Sequence, residues 1–142
     1  MKQERRREKR IKARLPITLE YPANASISAC TENISLLGAY LESEEEIAIG
    51  TKLSIILTIP AYNAKDASAT NIKCQGDVFR CNLARQIESR RLYGLGIFFS
   101  NFSRQEDRNR LADYLDFLIR QDEENVRQAA KQWEARRRKQ PS

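Results

Sequence analysis

The placement of chain-breaking residues divides this 142-residue sequence in two. All five glycines and three of the four prolines fall at or before Gly96, and none follows until Pro141. A chain that turns often and then stops turning must fold as several short elements followed by one long one.

The first part reads as strands. Ile17, Leu19 and Tyr21 alternate with Thr18 and Glu20, the period of a half-buried strand. Pro22-Ala23-Asn24 turns the chain, and Ser26 to Ile34 forms a second run. Gly38 interrupts the pattern before Ala39-Tyr40-Leu41 resumes it. A turn at Gly50 precedes the most apolar stretch, Lys52 to Ile59, which Pro60 closes. Ile72, Cys74, Gly76 and Val78 then alternate with Lys73, Gln75 and Asp77, and the pattern runs on toward Arg85. Leu92 to Phe99 is the last run. Six or seven short strands before residue 100 predict an antiparallel sandwich or barrel. Gly94 and Gly96 inside a strand predict a bulge, a tight bend or a close backbone approach.

The second part reads as helix. Ser103-Arg104-Gln105-Glu106 has the form of a capping box. Leu111, Leu115, Leu118, Asp122, Val126, Ala129 and Trp133 recur three or four residues apart, near the helical period. A helix over 103–137 is expected. Its first half, rich in Leu111, Tyr114, Leu115, Phe117, Leu118 and Ile119, should pack on the strands. Its second half offers only Val126, Ala129, Ala130 and Trp133 and should either stand clear of the barrel, open to self-association or to an unidentified protein partner, or fold back with Trp133 resting on it.

Composition narrows the function. The chain has no histidine, so the commonest general base and every Ser-His-Asp or Cys-His arrangement are absent. There is no Gly-rich phosphate loop, and the acids cluster in surface-like runs, Glu44 to Glu46 and Asp122 to Glu124. A binding protein is expected, not an enzyme. Cys30, Cys74 and Cys81 are odd in number and lack CxxC spacing, so neither a metal site nor a disulfide framework is expected. No apolar run approaches the roughly 20 residues that span a bilayer. Met1 to Arg7 has no apolar signal-peptide core, which points to the cytoplasm. Charge is uneven: eight Lys or Arg against two Glu give the first 14 residues +6, residues 136–139 carry +4, and the stretch between is net −4.

Three segments carry a further signal. "KRIKARLPI", residues 9–17, holds Arg10 and Arg14 at RxxxR spacing just before the first strand. Asn33-Ile34-Ser35-Leu36-Leu37-Gly38 fits [D/N]xSxxG just after the second. "YGLGIFF" is followed closely by the helical stretch. Taken alone, Asn33 to Gly38 is either a turn, with Asn and Ser bonding back to the backbone and Gly supplying positive φ, or a ligand edge with Asn33 and Ser35 on one sheet face.

In this order the segments resemble the PilZ domain family over about residues 5–120. The resemblance implies a mainly β fold, a six-stranded antiparallel β-barrel, here with a long C-terminal α-helix. It implies binding of the bacterial second messenger cyclic di-GMP, with no cofactor and no metal. It makes Arg10 and Arg14 the motif arginines, with Asn33, Ser35 and Gly38 completing the site and Lys9, immediately before the pair, as a secondary candidate; apart from the resemblance, Arg80 is a second such candidate, on a neighbouring strand. The chemistry suits such a ligand: a guanidinium matches guanine O6 and N7 bidentately and stacks on bases, which an ammonium cannot do. Arg6 and Arg10 share the RxxxR spacing, but Arg14-Leu15-Pro16-Ile17 leads straight into the strand and is preferred. The expected organisation is a basic arm over 1–14, a barrel over 15–102, a helix over 103–137 and a tail over 138–142. The expected mechanism is ordering of the arm by ligand. Two other readings compete: an adaptor with a purely structural barrel, against which the intact motifs argue, and a nucleic-acid-binding barrel, against which the acidic middle argues.

Overall fold

The computed structural model of the chain describes residues 9–62 and 68–139. Seven strands, β1 (Ile11–Lys12), β2 (Pro16–Tyr21), β3 (Ala25–Ile34), β4 (Gly38–Ser43), β5 (Lys52–Ile59), β6 (Thr70–Ile87) and β7 (Arg90–Phe102), precede one helix, α1 (Gln105–Lys139). All pairings are antiparallel, in the order β3-β2-β5-β6-β7-β4, and β4 returns to β3 to close a six-stranded barrel. The alternation explains it. Leu53, Ile55, Leu57 and Ile59 of β5 point inward, as do Ile17 and Leu19, Ile72 and Val78, and Leu95 and Ile97, so each strand adds one apolar edge to a shared core. Closure leaves no open sheet edge in the barrel.

The first half of α1 covers this core with Leu111, Tyr114, Leu115 and Ile119, all buried. Tyr62 packs its ring 5.1 Å from those of both Tyr114 and Phe117. Residues 120–138 are exposed.

A short strand lies within the basic N-terminal segment. β1 pairs with β3, Ile11 opposite Ile34 and Lys12 opposite Asn33. Ile11 and Ala13 rest against the core while Lys12 and Arg14 face out. Thr31 fastens the step from β1 to β2: its hydroxyl accepts from Leu15 N–H at 2.9 Å and donates to the Ala13 carbonyl at 2.6 Å. Residues 1–8, with Arg5, Arg6 and Arg7, and residues 140–142 of the tail lie outside the described residues.

The helix begins later than the capping box suggested. Ser103 N–H is committed to the Lys73 carbonyl at 3.0 Å, and the first helical carbonyl is that of Arg104, which accepts from Arg108 N–H. Asp107, not Glu106, turns inward. Its carboxylate accepts from Lys73 N–H at 3.1 Å and from the Arg104 guanidinium at 3.0 Å, and the residue is buried. An acid in the first turn also suits the helix dipole. Asp107→Leu should therefore lower stability by about 2 kcal/mol, because it strands the Lys73 N–H. Urea unfolding of the variant, read as a shift in midpoint at unchanged slope, checks this.

Next to that contact, burial pushes the Cys74 thiol up to about 12, and the Asp107 carboxylate adds to the effect. The unfolded thiol titrates near 9.0. The stability tied to this group is complete below pH 9 and drains away as pH rises toward 12. Alkaline unfolding should thus track exposure of Cys74, whereas exposed Cys30 should label with thiol reagents in the native state.

Candidate functional site

The site forms where β1 meets the turn after β3. The β1–β3 pairing sets Arg10 beside the end of β3, and its Nη1 donates to Asn33 Oδ1 at 2.8 Å. This bond joins the two sequence motifs across 23 residues. A guanidinium has five N–H donors. Asn33 takes one and holds the group at an exposed rim, with the rest of the fork unused among the described residues.

The two polar motif residues do not share a face. The strand β3 ends at Ile34, between them, so the period-two alternation does not extend to Ser35. Asn33 is half-buried and meets Arg10, whereas Ser35 turns inward and is 2% exposed. Ser35 Oγ accepts from Leu37 N–H at 3.1 Å, and its own N–H donates to the Gly38 carbonyl at 2.8 Å. Phe99 N–H donates to the Leu37 carbonyl at 2.8 Å, tying the turn to β7. Ser35 therefore shapes the loop that presents Asn33.

Gly38 has a different role from the one its turn context suggested. Among the described glycines only Gly50 has positive φ, at 92°. Gly38 is a glycine because a Cβ there would lie 2.0 Å from the Ile97 carbonyl oxygen. The close approach of β4 to β7 requires it. Gly94 likewise makes room for the Tyr40 hydroxyl, one of the outcomes its place in a strand allowed.

The remaining candidates separate. Lys9 lines a cleft of about 460 Å³ between β1, the motif turn and α1, together with Leu36, Arg108, Asp116 and Arg120. Arg108 also borders Leu37, on the far side of the turn. Arg108 and Arg120 went unnoticed in the sequence, although the four-residue steps 108, 112, 116 and 120 mark one helical face. Arg14 is exposed and lines another concavity, beside Glu32, Glu42, Glu44 and Glu45. There Arg85 pairs with Glu42 at 2.9 Å, and Arg90 pairs with Glu44. Arg80 sits on β6, with β7 and β4 between it and β3, so the structure does not bring it to Arg10 and Asn33. No group of three or more metal-ligating side chains occurs among the described residues.

A closed six-stranded antiparallel barrel with one C-terminal helix, and with a basic N-terminal segment bonded onto the turn after β3, defines a PilZ-type barrel. The family model described as PilZ domain matches residues 4–117, and the chain belongs to that family. No curated protein matches the sequence. Among solved structures, the PilZ domain with c-di-GMP of YcgR from Escherichia coli aligns with TM-score 0.57 at 15% identity, covering 83% of this chain and 94% of that one. MrkH of K. pneumonia in its apo state aligns with TM-score 0.64 at 16% identity, over 82% of this chain and 52% of that one. The Bacillus subtilis inhibitor of motility MotI/DgrA aligns with TM-score 0.59 at 17% identity, over 80% and 49%. The chain thus spans about half the length of the latter two proteins. Among the described residues no helix is long and apolar enough to cross a membrane.

Proposed function

We propose that this chain is a cytoplasmic receptor for cyclic di-GMP, gripped between the basic N-terminal segment and the Asn33–Gly38 turn. The observation that carries this reading is the 2.8 Å bond from Arg10 to Asn33, which unites the two motifs at an exposed edge. Family membership supports it, as does the fold shared with the YcgR domain, which was solved with that ligand. The ligand carries two phosphates and two guanines. Arg10 offers its fork to a guanine edge, Asn33 adds a polar contact, and Lys9, Arg108 and Arg120 make the adjoining cleft attractive to phosphate. Ser35 and Gly38 act by fixing the turn.

The second arginine of the pair is Arg14 or Arg6. Around Arg14, Arg85 and Arg90 pair with Glu42 and Glu44, and Glu32 and Glu45 leave the concavity net negative, which opposes an anionic ligand there and favours Arg6, four residues before Arg10. Binding tightens the segment before Leu15 on the barrel, where β1 and the Arg10–Asn33 bond already hold part of it, and the changed surface is the signal, a population shift that needs no catalysis. Calorimetric titration with cyclic di-GMP, using GTP and single-stranded RNA as controls, tests the ligand. Arg6→Ala and Arg14→Ala in the same assay identify the partner arginine. Amide exchange over residues 5–16 should slow with saturating ligand; equal protection with and without it would exclude the ordering mechanism.

A further inference from the structure

Past Ile119 no residue of α1 through 138 is buried: Gln121, Asp122 and Asn125 border a concavity beside Lys9 to Lys12, and Val126 and Trp133 are 63% and 61% exposed. The apolar stripe does not end where the barrel does. Leu115, Ile119, Asp122, Val126, Ala129 and Trp133 step by four, three, four, three and four, a heptad spacing broken only at Asp122. Charge is segregated along the same stretch. Asp122, Glu123 and Glu124 stand at its start, and Arg136, Arg137, Arg138 and Lys139 at its end. Such a segment repels itself in parallel register and matches itself when turned end for end.

We propose that α1 pairs antiparallel with α1 of a second copy of this chain, about a two-fold axis at Ala130. Glu123 then faces Arg137 of the second copy, Arg127 faces Glu134, and Val126 meets Trp133. Glu123, Arg127 and Glu134 lie on one flank of the stripe at 100° per residue, and an antiparallel two-fold sets like flanks together. Each opposite-charge pair therefore occurs twice. Arg137 is already beside the stripe, its guanidinium 5.2 Å from the Trp133 ring centroid. Ala129 and Ala130 let the helices approach closely, and Trp133 supplies the bulk that fills the seam.

The register also fits the bodies of the two copies. Lys139, the last described residue of the helix, falls opposite Gln121, just past Ile119, the last residue that the barrel buries, so the paired stretch stops short of each barrel. The overlap is the whole uncovered stretch, about 30 Å at 1.5 Å per residue.

Light scattering of the full chain over a concentration series tests the pairing. The mass should climb from 16.4 kDa toward twice that value. Arg127→Glu and Glu134→Arg should each weaken self-association at least about tenfold, since each sets like charges together in two places. Mixing the two variants should restore it, because every mixed pair is again opposite in sign. In a Cys30→Ser background, Ala130→Cys should cross-link between copies on oxidation, and Glu123→Cys should not. A chain that stays monomeric throughout, variants that associate like the parent, or cross-linking at both positions would each overturn the proposal.

Discussion

Arg10→Ala is expected to weaken cyclic di-GMP binding by at least about 100-fold, or about 2.7 kcal/mol, while leaving unfolding within about 0.5 kcal/mol of the parent. The asymmetry follows from where Arg10 lies. Its bond to Asn33 is exposed, so water replaces it at little cost to folding. A guanine edge or a phosphate, by contrast, loses both a charge and a two-pronged donor. The fork alone accounts for roughly 1–3 kcal/mol of base discrimination. Arg10→Lys separates the contributions: it keeps the charge and loses the fork, and should still bind at least about tenfold more weakly. Asn33→Ala should fall between the parent and Arg10→Ala, because Asn33 orients the guanidinium and adds one contact. Calorimetry on these variants decides the matter, and Arg10→Ala binding as tightly as the parent would place the site elsewhere.

Gly38→Ala should do the reverse and damage the fold. The added methyl would stand 2.0 Å from the Ile97 carbonyl oxygen and 3.1 Å from its carbon, both main-chain atoms that no rotamer change can move. Relief requires β4 to part from β7, and those two strands share the pairing Gly38 to Phe98 through Ser43 to Tyr93. A loss of about 3 kcal/mol, the upper end of the cost of overpacking, is expected. Gly94→Ala offers the contrast. Its methyl would meet the Tyr40 hydroxyl, the far end of a side chain that can swing, so the loss should be smaller. Ser35→Ala removes one bond to Leu37 N–H and should cost about 1 kcal/mol. Urea midpoints rank the three, and a Gly38→Ala variant as stable as the parent would show that the strands tolerate the separation.

The sequence alone determined the elements and the order of the motifs. An apolar run between the turn at Gly50 and Pro60 placed Lys52 to Ile59 on a strand at the observed boundaries, because chain breakers mark where a strand must stop. The absence of Gly and Pro after Gly96 allowed a helix as long as α1, and the order of the basic segment, the polar turn and the final strand was enough to indicate the PilZ barrel. These are local signals, carried by neighbours along the chain.

The tertiary structure decided everything that depends on a distant partner. Gly38 looked like a turn glycine, but the atom that demands it belongs to Ile97 on another strand. Asn33 and Ser35 looked like neighbours on one face, but β3 ends between them at Ile34, and in the turn beyond it Ser35 points inward. Arg10 and Arg14 looked equivalent, yet one meets Asn33 and the other stands among glutamates. Asp107 had no sequence signal setting it apart from Glu106, because its partner is a main-chain N–H on β6. Periodicity states which way a side chain points relative to its own strand or helix. It does not state what is waiting there, since one extra residue in a ladder reverses the faces beyond it and strand pairing is fixed only when the whole barrel closes.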